Sequence, residues 1–177
     1  MRIAVVLVAL GLIAGCGGSQ ASPLPLLPAS AVPKLSSSTQ DVALKDLAAE
    51  FGPSDADFAG RITGFLRGRE RVFQGESHRF DRVVSRTLEF ENGADAGAYV
   101  GFFRSQLTSV FGSGSSASPL ESKGRKGYLV DAAACACHRA EPTLAAIVAR
   151  GARVSYLEVN GGGAKPAAVL DLLAQAP

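Results

Sequence analysis

Two cysteines and a histidine occur within four residues of one another, in the segment AAACACHRA. Cys135 and Cys137 would project to the same face of a strand and could bind a metal, with His138 as a further ligand. They could instead form a disulfide, although Cα atoms two residues apart in a strand lie ~6.6 Å apart, near the upper limit for a bridge, so a local kink is needed. A third possibility is that both thiols pack as small apolar side chains. We expect the disulfide first and keep the other two as alternatives.

Basic side chains are concentrated in one third of the chain. An anionic lipid or polymer could bind there, but the interleaved acidic residues favour a solvated surface of mixed charge. The arginines are Arg61, Arg67, Arg69, Arg71, Arg79, Arg82 and Arg86, and the acidic residues are Glu70, Glu76, Asp81 and Glu89. Because no hydrolase or phosphate-loop motif accompanies them, we assign no catalytic residue and no cofactor.

The third cysteine, Cys16, follows a short apolar segment. One arginine, Arg2, precedes about a dozen apolar residues that end in Ile13-Ala14-Gly15-Cys16. A membrane-spanning helix needs ~20 apolar residues, so this segment has the length of a secretory signal instead.

This pattern resembles the signal peptide and lipobox of bacterial lipoproteins, and the Ala/Gly/Arg/Val-rich composition resembles that of actinobacterial ones. The resemblance implies cleavage between Gly15 and Cys16 and attachment of a diacylglycerol, with acyl chains such as palmitate, to the Cys16 thiol. Two acyl chains anchor a protein stably in a membrane, whereas one binds reversibly. We therefore expect an extracytoplasmic protein anchored to the cell membrane by lipid. The alternative is an ordinary signal peptide cleaved elsewhere.

Composition divides the chain into three parts. Residues 1–15 are the expected signal peptide, and residues 16–40 are rich in Gly, Ser and Pro, which is typical of a flexible tether. Residues 41–177 show the apolar periodicity of a single folded domain.

The periodicity of residues 41–177 predicts the following elements. Helices are expected at 44–51, at 54 to about 68 with Phe58, Ile62, Phe65 and Leu66 on one face, at 92–111 with Asn92 as its cap, and from Pro166 with Val169, Leu170 and Leu173 facing inward. Strands are expected at about 70–74, 79–91, 128–138, 143–150 and 153–160, the last two joined by a turn at Gly151. Residues 112–126 are expected to form a long loop.

These elements predict an α+β fold, an antiparallel sheet of about five strands with helices packed on it. The globular part is loosely similar to small exported lipoproteins with a PsbP/Mog1-like fold.

The sequence favours a non-catalytic binding module of the cell envelope that takes a cell-wall component, a lipid or a protein as its ligand. A formal net charge of +2 gives no electrostatic case for nucleic acid. One alternative is a small redox or metal-binding protein or enzyme that uses Cys135, Cys137 and His138. A second alternative is a purely structural envelope protein.

Overall fold

The computed structural model describes residues 22–51, 58–75, 79–132 and 142–176, and of Phe58 and Ala59 only the backbone. Within these ranges the chain is α+β, with one open antiparallel sheet of seven strands in the order β1-β2-β3-β7-β6-β5-β4. The strands are β1 Ser36–Val42, β2 Phe65–Gln74, β3 Arg82–Phe90, β4 Ser116–Ser122, β5 Arg125–Ala132, β6 Thr143–Arg150 and β7 Arg153–Asn160. The predicted fold class is confirmed, but the count of about five strands is wrong.

Both additional strands, β1 and β4, are the edge strands of the sheet. Six of the seven residues of β1 are exposed, and β4 contains Pro119. An edge strand needs no second apolar neighbour and tolerates proline on its open side, so neither strand carries the apolar alternation that predicts buried strands. The loop predicted at 112–126 is for this reason largely the hairpin of β4 and β5, which turns at Lys123-Gly124.

Helices cover the sheet. They are α1 Leu44–Phe51, α2 Phe58–Arg61, α3 Gly93–Ser105, α4 Leu107–Phe111 and α5 Pro166–Gln175. The bounds predicted for α1, β6 and β7 are confirmed. The cap of α3 is also confirmed, because the Asn92 side chain accepts hydrogen bonds from the backbone N–H groups of Ala94 and Asp95.

The second predicted helix is wrong beyond Arg61, because β2 already begins at Phe65. Gly64 has a positive φ of 66°, which ends helical geometry at a point where other residues are strained. Gly68 then lies within β2, where a Cβ atom would come within 2.7 Å of Leu88 and 2.9 Å of Val42. Gly64 and Gly68 thus occupy a bend before β2 and a crowded position within it.

The sheet separates two hydrophobic cores. On its first face, Val84, Leu88 and Phe90 of β3 lie in one cluster of buried residues with side chains of α1 and α3. On its second face, Val83 of β3 and Leu157 of β7 lie in another cluster with side chains of α5. Alternate residues of each strand therefore belong to different cores, so the fold has three layers.

The second face is also covered by residues 22–35, which we call the N-terminal segment. Leu27 and Val32 are buried there in the same cluster as α5, and Leu24 is buried beside the start of β2. The Leu27 N–H donates to Ser85 Oγ (3.0 Å), and Thr87 Oγ1 donates to the Pro25 carbonyl (2.6 Å). A flexible tether over 16–40 is therefore wrong for residues 24–40, which pack on the sheet or form β1. A few separated apolar residues are enough to hold this segment in place, because the second face of the sheet supplies the apolar surface on which they pack.

Helix α5 begins with Pro166, as predicted, and buries Val169 and Leu173. Leu170 is 37% exposed, contrary to the prediction that it faces inward. Ala168 and Leu172 are buried in its place, which shows that the helix is rotated relative to the predicted apolar face.

The two ends of the sheet are distinguished by the strand termini and turns that lie there. We call the end with the start of β2, the end of β3 and the β6–β7 turn the proximal end, because Pro23, Leu24 and Pro25 lie against it. The opposite end, with the end of β2 and the start of β6, is the distal end.

Candidate functional site

The cysteine and histidine candidates of the sequence all lie outside the described residues. Cys16 precedes residue 22, and Cys135, Cys137 and His138 fall in the segment between Ala132 and Pro142. The acylation and cleavage at Gly15-Cys16, the disulfide and its metal alternative therefore stay predictions.

Two of the arginines in the predicted basic stretch form partly exposed ion pairs. Arg67 Nε contacts Glu89 Oε2 at 2.6 Å, and Arg82 Nη1 contacts Glu158 Oε1 at 3.1 Å. Such pairs indicate the mixed-charge surface that the sequence favours over an anion-binding one. Arg86 is the exception, because it is buried.

Arg86, Glu50 and Glu70 form what we call the buried ion cluster, on the first face of the sheet. Arg86 Nε donates to Glu70 Oε2 (2.8 Å), and its two Nη atoms donate to the Glu50 carboxylate, with Nη1 at 2.9 Å from Oε2. The other carboxylate oxygen of Glu70, Oε1, accepts a hydrogen bond from Gln40 Nε2 (3.1 Å). Burial alone would lower the pKa of Arg86, but the hydrogen bonds and negative charges of Glu50 and Glu70 outweigh it and raise the pKa.

A second pair of side chains adjoins this cluster. The guanidinium group of Arg86 lies over the ring of Tyr156 at 5.3 Å, and the Tyr156 hydroxyl donates to Glu158 Oε2 at 2.5 Å. These groups and Val110 of α4 line a cavity of about 260 Å³. Because each charged group here already has a partner of opposite charge or a hydroxyl donor, the arrangement stabilises the interface between helix and sheet and leaves little capacity for a ligand.

A cleft at the proximal end contains charged groups that are not all paired within the described residues. It has a volume of about 670 Å³ and opens on the second face, and we call it the arginine cleft. Its polar lining consists of Arg125, Arg150, Arg153, Glu89, Thr87 and Ser155, with Pro25 at one side. A volume of this size lies within the range of small-molecule sites.

The strand register brings the three arginines together. Arg150 and Arg153 face each other across the tight β6–β7 turn, where Gly151 has a φ of 55°. Lys126 pairs with Ala149, so Arg125 at the start of β5 lies next to Arg150 at the end of β6. The cleft thus collects one arginine from each of three neighbouring strands.

The positive charges in the cleft are only partly compensated. Arg125, which is 7% exposed, donates through its Nη atoms to the carbonyls of Leu173 (3.2 Å) and Ala176 (2.8 Å) at the end of α5. Among the described residues, no carboxylate lies within ion-pair distance of Arg125 or Arg150. Burial and, secondarily, the charge of Arg150 lower the pKa of Arg125, as expected for a cation held beside another cation.

Within the described part of the chain, Arg153 is the one arginine of the cleft with an acidic partner. Its Nη2 lies 3.3 Å from Glu89 Oε1, but the same carboxylate already binds Arg67. The hydrogen bond from Arg67 lowers the pKa of Glu89. A single carboxylate therefore serves two arginines, and the cleft keeps a net positive charge.

Sequence reasoning missed this cleft. The segment VARGARV is interpreted above only as a hairpin turn, although it places an arginine on each side of Gly151. Two arginines flanking a two-residue turn point to the same end of the sheet, and that spacing was the available signal. The contribution of Arg125 depends on the pairing of β5 with β6 and has no local signal.

A smaller cavity of about 440 Å³ lies towards the distal end, between the N-terminal segment and α5. Val32, Phe80 and Leu172 supply apolar lining, and Lys34, Arg79 and Asp171 supply two positive charges and one negative charge. This cavity therefore has a smaller excess of positive charge in its lining than the arginine cleft.

Within the described ranges, no group of three or more His, Cys, Asp or Glu side chains is placed to hold a metal ion. No helix in the described part of the chain combines the length and apolar character needed to cross a membrane. Comparison with known proteins gives no significant match to a family model, to a curated protein or to a solved structure.

Proposed function

We propose that this protein is a membrane-anchored, extracytoplasmic lipoprotein whose folded domain is a non-catalytic binding module for an anionic group. The anchor rests on the apolar segment that ends in Ile13-Ala14-Gly15-Cys16. The binding function rests on one observation, the arginine cleft, whose lining within the described residues contains Arg125, Arg150 and Arg153 but one carboxylate, Glu89, which pairs with Arg153 alone of the three.

The chemistry of the cleft suits binding. Guanidinium groups stay charged at all physiological pH values and present several N–H donors in a plane, which matches carboxylate and phosphate oxygens. Thr87 and Ser155 add hydroxyl groups to the lining. Such donors hold an anion in place but exchange no proton near neutral pH.

The two other functions are less well supported. A redox or metal site would depend on Cys135, Cys137 and His138, which lie outside the described residues. A purely structural role would be favoured by the lack of any ligand-sized cavity, and the arginine cleft is one of ligand size.

The anchor is tested by growing cells that express the full chain with labelled palmitate. We expect label and the matching mass increase on the wild-type protein and neither on Cys16→Ser. Sedimentation with membranes is a poorer measurement, because an uncleaved apolar segment from Ile3 to Ala14 would itself hold the variant there. An unlabelled wild-type protein would contradict the anchor.

Binding is tested by thermal unfolding of the detergent-solubilised protein in phosphate and in chloride at equal ionic strength. We expect phosphate to raise the melting temperature of the wild type, since a ligand at ten times its Kd stabilises by about 1.4 kcal/mol. Arg150→Gln should lose this increase, whereas the matched control Lys165→Gln, at the start of α5, should keep it. Equal increases in both variants would show that phosphate acts elsewhere.

A further inference from the structure

The arginine cleft lies at the end of the fold from which the chain leads to the proposed anchor. Pro25 lines the cleft itself, and Pro23 and Leu24 lie against the first residues of β2 beside it. Only six peptide units join Ser22 to Cys16, and even fully extended they reach at most about 22 Å. A lipid on Cys16 would therefore hold the proximal end close to the bilayer.

The distal end would be held much farther away. Strand β7 has eight residues and is about 27 Å long at about 3.4 Å per residue. That length is several times the Debye length of about 8 Å at physiological ionic strength, so when the proximal end touches the membrane, the surface potential acts on that end and hardly on the distal one.

The charge of the proximal end fits an anionic surface. Besides Arg125, Arg150 and Arg153 in the cleft, the β4–β5 hairpin carries Lys123 and Lys126 there, and these cations outnumber Glu89 of the cleft and Glu121 opposite Lys126. Phospholipid head groups supply phosphate oxygens, which are the partners that guanidinium groups bind best. Basic side chains close to an anionic membrane surface are each attracted to it, and this attraction adds to the effect of the anchor.

An apolar side chain at the same end gives independent support. Leu66, in the irregular pairing at the start of β2, is 56% exposed and is the more exposed of the two large hydrophobic residues found at the surface of the described chain. It lies next to Arg67 and near Leu24. An exposed leucine among arginines suits the head-group region of a bilayer, where apolar and cationic side chains are both accommodated.

We propose that the proximal end of the sheet docks on the anionic phospholipids of the membrane that holds the anchor, with Arg150 and Arg153 binding head-group phosphates and Leu66 inserted between the head groups. This inference rests on the proposed function, because it needs both the anchor at Cys16 and anion binding in the cleft. It names the ligand as the surface of the protein's own membrane, and it makes the domain lie against that membrane.

The test is hydrogen exchange, followed by mass spectrometry, of the full lipidated protein in two kinds of vesicle. One kind contains phosphatidylcholine alone, and the other contains phosphatidylcholine mixed with phosphatidylglycerol. In the mixed vesicles we expect exchange at least about fivefold slower around Leu66 and in the two turns, Lys123-Gly124 and Gly151-Ala152. High salt should remove this protection from the wild type, because the attraction is screened.

Two matched double variants locate the interaction. Arg150→Gln with Arg153→Gln should lose the protection, whereas Lys34→Gln with Lys165→Gln removes the same charge at the distal end and should keep it. Exchange in the middle of β6 and β7 shows in the same spectra that the variants are folded. Equal protection in both kinds of vesicle, or protection that survives in the arginine variant, would overturn the proposal.

A third arm separates the membrane from a soluble ligand. Glycerol phosphate, added to phosphatidylcholine vesicles at the concentration of the anionic lipid, should leave the exchange around Leu66 unchanged. Full protection by glycerol phosphate would overturn the membrane proposal and leave the binding function intact. A wild-type protein without palmitate would instead contradict the anchor, so the two failures are distinguishable.

Discussion

The buried Arg86 neutralises the carboxylates of Glu50 and Glu70. Its replacement tests how much this ion cluster contributes to the stability of the protein. Arg86→Met should lower the free energy of unfolding by about 3–5 kcal/mol, because Glu70, 5% exposed, would keep its charge without a cation. Urea unfolding of the wild type and the variant measures this. Arg82→Met, which breaks a pair whose arginine side chain is 42% exposed, is the matched control and should cost below ~1 kcal/mol.

A double variant separates lost charge balance from lost packing. Adding Glu70→Gln to Arg86→Met removes one unpaired buried charge and should recover part of the stability. If the double variant is no more stable than Arg86→Met alone, the cost lies in packing around the long arginine side chain, and our account of the cluster is wrong.

Single residues of this cluster were only partly predictable from sequence. Arg86 and Glu70 stand out as charges inside strands of apolar character, yet their pairing depends on the alignment of β2 with β3, where Glu70 lies opposite Arg86. Glu50 comes from α1, and nothing local relates it to β3. Local patterns identify such residues as unusual but do not show which others they meet.

At the scale of elements, two glycines have opposite roles. A Cβ atom on Gly127 of β5 would come within 1.9 Å of the Ile147 carbonyl oxygen on β6, whereas one on Gly101 of α3 would meet no atom within 4 Å. Gly127→Ala should therefore destabilise the protein by about 1–3 kcal/mol through forced separation of the strands. Gly101→Ala should stabilise it by about 0.5–1 kcal/mol through helix propensity.

Thermal or urea unfolding of both glycine variants checks this pair. A tolerated Gly127→Ala would mean that β5 and β6 can separate locally without cost. The register in which Gly127 pairs with Val148 would then need revision.

Two buried tyrosines that connect helix and sheet predict how stability depends on high pH. Burial raises the pKa of Tyr99 on α3, and burial together with the charge of Glu158 raises that of Tyr156 on β7. The unfolded chain releases these protons near pH 10 while the folded protein keeps them, so this contribution is complete below about pH 10 and is lost as the pH rises further. Each tyrosine can contribute up to about 1.4 kcal/mol per pH unit.

The measurement is the change in unfolding free energy between pH 8 and pH 11 within each variant, which cancels any constant effect of the lost hydroxyl. Tyr99→Phe and Tyr156→Phe should each show a smaller loss than the wild type. A loss unaffected in both variants would assign the alkaline transition to other groups.

The elements that the sequence predicted well are those with an apolar face. Helix α1 and strands β6 and β7 have one, and their predicted bounds match the structure. Strands β1 and β4 are polar edge strands stabilised by their backbone ladders, so their side chains carry no period to detect. The end of α2 was predicted wrongly because a misleading pattern is present. The helical spacing of its apolar residues continues into β2, so the sequence predicts a helix that is too long.

For the whole molecule, the main unpredicted feature is that β3 pairs with β7 at the centre of the sheet. This contact joins residues 64 to 78 positions apart, with Glu89 and Arg153 at the lower limit, and it sets the composition of the arginine cleft. Sequence patterns specify elements and turns, but the order of strands follows from how all the apolar faces are buried together. A site assembled from several strands is therefore not visible in any one of them.

Leu27 tests where the tether ends and the fold begins. Leu27 is fully buried on the second face and its N–H group donates to Ser85, so Leu27→Ala should lower the free energy of unfolding by about 2–5 kcal/mol. The matched control, Leu66→Ala at a 56% exposed position, should change it by less than about 0.5 kcal/mol. Urea unfolding of the two variants is the measurement.

A neutral Leu27→Ala would mean that residues 22–35 are a tether after all, and with a tether that long the domain would be free to leave the membrane surface. A destabilised Leu27→Ala would mean that residues 22–35 belong to the fold. Only the residues between Cys16 and this segment would then link the domain to the anchor, and the proposed contact of the arginine cleft with the bilayer requires so short a link.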